Sequence, residues 1–226
     1  KISNKKKLGW GNNFFGDNAG YSNVTGAHNN YFGAYTSVNG GGSYNNFLGR
    51  FAGKCNTSGS KNNFLGSYAG AANTIGSYNN FFGHFAGQNS TSGCYNNFIG
   101  NNAGRSNTTG SRNNFIGHEA GYANTTGGYN NFFGYNAGST QTSGDNNIAI
   151  GYNVKLPILT GSDQLNIGSG SNSWITGNSS FNVGIGTTNP QQKLWVEGNG
   201  YFTGILTANR IFSSQYGEFV GGSISG

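Results

Sequence analysis

Asn79-Asn80-Phe81-Phe82-Gly83 is the stretch that decides the fold, because it keeps returning along the chain. Its closing glycine has counterparts at Gly16, Gly33, Gly49, Gly66, Gly100, Gly117 and Gly134. Gly151, Gly168 and Gly186 end a related apolar motif. Every step is 17 residues except one of 16 and one of 18. Three residues on, an Ala-Gly corner often follows, as at Ala86-Gly87 and Ala103-Gly104, and a Thr-Gly turn such as Thr109-Gly110 closes the unit. A unit this short cannot bury a core alone. It can form one coil of a stacked β-solenoid. The expected fold is therefore all-β: a parallel β-solenoid of about eleven 17-residue coils, assembled as a homotrimeric fibre, with a short β connector at its C-terminus.

Composition agrees with that reading. Gly (42) and Asn (38) supply about a third of the 226 residues, while charged residues are only 8%. Gly costs about 1 kcal/mol per helical site relative to Ala, and Asn prefers turns, so a mostly helical chain is excluded. Glycine without a three-residue period, and two prolines, exclude collagen. Aromatics at 15% with little charge argue against disorder. No apolar run approaches the ~18 residues of a membrane helix, and membrane insertion is not expected. The net charge is +6, but the only basic run is Lys5, Lys6 and Lys7, so nucleic acid is not an expected partner. A chain without Met reads as a fragment or a processed product.

Neighbouring strand residues face opposite sides. The residue before each glycine is always apolar: Phe15, Phe32, Leu48, Leu65, Phe82, Ile99, Ile116, Phe133, Ile150, Ile167 and Ile185. That constancy suggests the coil interior, with the Asn13, Asn30 and Asn46 column on the same face. The preceding column, Phe14, Tyr31, Phe47, Phe64, Phe81, Phe98, Phe115 and Phe132, is then expected outside, as an oligomer interface. Exchange of the two ladders, or burial of both in a wide monomeric coil, is the alternative. The composition of the motif changes near residue 146, giving expected divisions of 1–7 (basic segment), 8–145 (aromatic solenoid), 146–186 (further coils) and 187–226 (connector). In the last, Lys193 to Val196 and Tyr201 to Leu206 read as short strands.

The segment Asn146-Asn147-Ile148-Ala149-Ile150-Gly151 resembles the head repeat of trimeric autotransporter adhesins, and the longer aromatic repeats resemble those of phage tail fibres. Val183-Gly184-Ile185-Gly186-Thr187-Thr188-Asn189-Pro190, then Lys193-Leu194-Trp195-Val196 and Tyr201-Phe202-Thr203-Gly204, resembles the connector that in tail fibres precedes a self-cleaving chaperone. Gly226 would then lie near a processing point, or simply at the end of an ordered region. The resemblance implies a virion-tail or extracellular location. It also implies a trimer, other tail proteins as partners, and a host-surface glycan or protein as receptor. The alternative it carries is a bacterial surface adhesin; a polysaccharide-degrading tail spike ranks third.

The remaining residues offer little chemistry. Asp145 and Asp163 occupy nearly one phase of adjacent coils, which suits a carboxylate pair for glycoside hydrolysis, or more simply two turn residues. His84 and His118 share a phase two coils apart, too far to hold one metal within a chain. Cys55 and Cys94 differ in phase, which disfavours an intrachain disulfide. Neither an enzyme, a metal nor a cofactor is expected. His28, Tyr44, Lys61, Tyr78, Tyr95, Arg112 and Tyr129 form an outer column. Tyr44, Tyr78, Tyr95 and Tyr129 are therefore candidate glycan contacts, or a structural ladder of ring and cation stacking. Asn23, Asn56, Asn89, Asn107, Asn124 and Asn178 begin Asn-X-Ser/Thr triplets, read as glycosylation acceptors or as turns. Ice binding by threonines ranks last, because one threonine column wanders to Ser58, Ile75 and Ser92.

Overall fold

A computed structural model of the protein describes residues 9–198, 200, 201 and 203. Among the described residues there is no helix, and thirteen strands form one sheet in chain order. The first ten are β1 (Asn13–Phe15), β2 (Asn30–Phe32), β3 (Asn46–Leu48), β4 (Asn63–Leu65), β5 (Asn80–Phe82), β6 (Asn97–Ile99), β7 (Asn114–Ile116), β8 (Asn131–Phe133), β9 (Ile148–Ile150) and β10 (Leu165–Ser169). Each pairs in parallel with the next, one repeat apart, as in Asn80↔Asn97 and Phe81↔Phe98. The chain is thus an all-β parallel solenoid of about nine turns with coils of about 17 residues. Nine steps at ~4.8 Å make a rod of roughly 43 Å.

The expected count of eleven coils is too high, because the chain reverses after β10. Gly170, at φ +60°, and Ser171 form a two-residue turn between Ser169 and Asn172, and β11 (Asn172–Gly177) runs back antiparallel on β10. β12 (Val183–Ile185) is antiparallel to β11, and β13 (Leu194–Val196) is parallel to β12. Gly186 therefore ends a strand of this terminal cap rather than another coil. Lys5 to Lys7, most of the expected Tyr201–Leu206 strand and Gly226 lie outside the described residues.

The two ladders are exchanged relative to expectation. Tyr31, Phe47, Phe64, Phe81, Phe98, Phe115 and Phe132 are fully buried in the coil, with Phe14 half-buried at the open end. They are core, not an oligomer interface. Their rings stack along the axis at 4.7–5.0 Å and within 10° of parallel. Phe15, Phe32, Leu48, Leu65, Phe82, Ile99, Ile116, Phe133, Ile150 and Ile185 face outward, at 36–68% exposure, and Ile167 is half-buried. The reason is the far wall. Apart from Tyr31, each ring sets an edge against the Ala-Gly corner of its own coil: a Cβ on Gly87 would come within 2.5 Å of the Phe81 ring. One ring, one alanine and the amides fill the section of a 17-residue coil, so a change in the ring calls for a change in the wall opposite it.

Volume compensation along the chain supports this. Where the ring shrinks to Ala149, the opposite Ala becomes Val154, also fully buried. Where the ring is Tyr31, the corner becomes Thr36-Ser37. The Tyr31 hydroxyl is buried beside Ser37 and Asn45 without a well-formed hydrogen bond to either.

Buried asparagines hold the coils together. Asn12, Asn29, Asn45, Asn62, Asn79, Asn96, Asn113, Asn130 and Asn147 form an interior column that the sequence reading missed. Each Nδ2 donates at 2.7–2.9 Å to a glycine carbonyl 13 or 14 residues on, closing its own coil. Each Oδ1 accepts the backbone N–H of the same position in the next coil at 2.8–3.0 Å. The second asparagine of each pair, from Asn13 to Asn131, lies on the outer face. There its amide bonds coil to coil at 2.7–2.8 Å.

Two outcomes test this interior. Phe81→Ala should cost about 3–5 kcal/mol of unfolding free energy, and adding Ala86→Val should recover part of it, as Ala149 and Val154 do naturally. Urea unfolding of both variants measures this; an unaffected Phe81→Ala would place the ring outside the core. The second outcome concerns pH. Burial pushes the Tyr31 phenol up to about 12, with Ser37 and Asn45 opposing weakly. Between the ordinary tyrosine range near 10 and about 12, the unfolded chain releases this proton and the folded chain keeps it. Stability should therefore fall by about 1.4 kcal/mol per pH unit across that window. Tyr31→Phe should lose that share of the alkaline slope in melts taken at each pH.

Candidate functional site

Among the described residues the surface carries ladders and clefts, and no three His, Cys, Asp or Glu side chains converge as a metal site would require. The two candidate carboxylates, Asp145 and Asp163, are engaged in hydrogen bonds between coils. Asp145 Oδ1 accepts the Gly128 N–H, and Asp163 Oδ1 accepts from Asn146 Nδ2 at 3.2 Å. Asp145 thereby takes a place in a column of side chains that each accept a backbone N–H from the preceding coil: Ser43, Ser60, Ser77, Cys94, Ser111, Asp145 and Ser162. The same column explains Cys94, whose sulfur accepts the Ser77 N–H at 3.3 Å in a serine's position. Cys55 and Cys94 are both free.

The histidines serve as rings. His28 stacks on Tyr44 at 5.0 Å, and His118 stacks on Tyr135 at 5.0 Å, with Tyr152 beyond. His84 lies against Phe85 at 3.8 Å.

The tyrosine column is exposed, with Tyr44, Tyr78, Tyr95 and Tyr129 at 42–56%. Its ring faces, however, are spent on the column itself. Tyr78 and Tyr95 stack at 4.8 Å. The Lys61 ammonium sits 4.8 Å from the Tyr78 ring and donates to its hydroxyl at 2.8 Å. Arg112 lies between Tyr95 and Tyr129, and donates to the Tyr129 hydroxyl at 2.7 Å. The bond to Tyr78 raises the pKa of Lys61 above its ordinary value. Sugar stacking on the faces of Tyr78 and Tyr95 is thereby blocked; edges and hydroxyls remain. All seven residues from His28 to Tyr129 sit at φ 57–62°, a left-handed conformation that costs side-chain-bearing residues ~1–2 kcal/mol each. The stacking offsets that cost.

A second stack of Tyr35, Phe51, Tyr68 and Phe85 repeats the design on another corner, with Arg50 4.3 Å over Phe51 and Arg105 4.8 Å over Phe85. Of the Asn-X-Ser/Thr positions, Asn23, Asn56, Asn107 and Asn124 are buried, and each donates to the glycine carbonyl three residues on. They are turn formers, inaccessible to a glycosylating enzyme once folded. Asn89 is exposed and Asn178 half-buried. A regular threonine column does exist, one residue before the wandering one: Thr57, Thr74, Thr91, Thr108, Thr125 and Thr142. Each hydroxyl donates to the corresponding carbonyl of the next coil, so this column too is internal bracing.

Among the described residues, what remains uncovered is the outward apolar ladder. The four phenylalanines, at 36–68% exposure and roughly 150–250 Å² each, alone leave on the order of 350 Å² of apolar surface, and Leu48, Leu65, Ile99, Ile116 and Ile150 extend the stripe. The largest patch on a soluble monomer is ~300–600 Å². Two clefts flank the terminal cap, a more polar one lined in part by Lys155, Asn166, Ser173 and Thr188, and a more apolar one lined by Pro157 and Ile158 with Asp163, Asn178 and Asn189. Comparison of the chain with family models, with curated proteins and with solved structures finds no match in any of the three.

Proposed function

We propose that the protein is a structural fibre component of a phage tail: a stiff homotrimeric rod that carries attachment to a host surface. The observation behind this is the outward ladder from Phe15 to Ile150, an apolar stripe beside a coil interior that is already full. Its period is that of the coil, and so is the period of another copy of the chain. In parallel register each level meets its own kind around a common axis, which closes the contact without open growth. The interface therefore belongs to Phe15, Phe32, Leu48, Leu65, Phe82, Ile99, Ile116, Phe133 and Ile150, one residue on from the column first expected. The connector beginning at Val183 supports a tail fibre among trimeric surface rods. The Asn146–Gly151 segment keeps the bacterial adhesin as the second reading. Asp145 and Asp163, engaged between coils, give no support to the tail-spike enzyme.

Sedimentation equilibrium tests the assembly. The expected mass is three times 23.7 kDa, and Leu65→Asp with Ile99→Asp should give monomers that keep the β circular-dichroism spectrum. A wild-type monomer with this face in water would overturn the trimer. Adsorption of the trimer to host cells, competed by the same chain, tests attachment separately.

A further inference from the structure

The end of the solenoid holds a groove that coil stacking does not require. The interior column passes from Phe132 to Ala149 and ends at Asn166, which is 4% exposed. Asn166 Nδ2 donates to the Lys155 carbonyl at 2.7 Å, while Oδ1 has no hydrogen-bond partner among the described residues. An unpaired buried amide oxygen is destabilising, a cost that an alanine like Ala149 would avoid. The bond it does make pins Lys155, and with it one wall of a cleft of about 400 Å³. The other wall is the β10–β11 turn with Ser171 and Ser173, and Thr188 completes the lining. The size falls within the ~300–1,000 Å³ of small-ligand sites.

The lining defines the ligand. Hydroxyls and amides surround a single cation, Lys155, and no carboxylate lines this cleft. Leu156 and Pro157 add a small apolar floor. A neighbouring cleft of about 460 Å³ shares Pro157 and Thr188 with the first and includes Asp163. The groove therefore runs from a positive end to a negative one, with room for more than one ring. Neither Ile150 nor Ile167 of the outward ladder lines either cleft, so an interface built on that ladder does not use the groove's lining.

We infer that this groove binds an acidic polysaccharide, with a carboxylated sugar at Lys155 and a neutral sugar beside Asp163. The carboxylate pairs with the Lys155 ammonium, and ring hydroxyls engage Ser171, Ser173 and Thr188. The inference deepens the attachment reading by naming a ligand class, although the binding itself needs neither trimer nor virion.

The test is calorimetric titration of the full chain with three probes: a hyaluronan tetrasaccharide (acidic and neutral rings alternating), trigalacturonate (acidic throughout) and maltotriose (neutral). The tetrasaccharide should bind most tightly, and Lys155→Gln should weaken it about tenfold or more. Asp163→Asn should improve trigalacturonate. No binding by any probe, maltotriose binding as tightly as the tetrasaccharide, or indifference to Lys155→Gln would each overturn the inference. Lys155 is exposed, so its variant keeps the fold, and a native circular-dichroism spectrum checks this. A monomer that still binds the tetrasaccharide would overturn only the fibre reading.

Discussion

The structure depends on the buried amide of the first asparagine in each repeat. A coil this narrow encloses one large ring and little else that is apolar, so hydrophobic burial per residue is low. Its backbone must turn sharply at every corner, which leaves N–H and C=O groups that the short strands cannot pair. Asn79 shows the solution. Its Nδ2 closes its own coil on the Gly93 carbonyl, and its Oδ1 caps the Asn96 N–H of the next. One side chain therefore fixes both the shape of a coil and the register between coils. Stacked amides of this kind strengthen ladders built from identical units.

Register fixed in this way brings every other column into line. Rings sit over rings, serines meet the same backbone N–H at each level, and cations lie between tyrosines. The tyrosine column also tolerates a backbone conformation that glycine would adopt more easily. The gain is rigidity: glycine at these corners would leave the outer wall without stacked rings. The same economy accounts for the scarcity of charge. An outer surface braced by amides, hydroxyls and stacked rings needs few ion pairs.

The period, the β class and the parallel stacking were legible in the sequence, because a glycine every 17 residues constrains the chain more than any local propensity. Which of two adjacent apolar columns faces inward was not. Constancy of apolar character singled out Phe15 to Ile185, but the outer column varies among Phe, Leu and Ile because no wall limits its shape. The inner column is aromatic throughout coils one to eight, and changes only together with its opposite corner, at Tyr31 with Thr36-Ser37 and at Ala149 with Val154. That paired change was the available signal. The hairpin after β10 was hidden because Gly168 and Gly186 keep nearly the right spacing while the chain between them reverses. The terminal clefts were hidden for a related reason: their lining comes from segments that break the period, so no repeat predicts their juxtaposition.

Breaking the period is also what makes a site. Within the repeat, the ring faces and hydroxyls best suited to a ligand are largely engaged with their counterparts one coil above and below. Tyr78 cannot offer a face because Tyr95 covers it, and the threonine hydroxyls are spent on neighbouring carbonyls. At Asn166 the inner column loses its ring, the next strand runs backwards, and Lys155 and Ser173 have no counterparts with which to stack. A solenoid that satisfies itself so completely along its length has its free chemistry where the stacking stops.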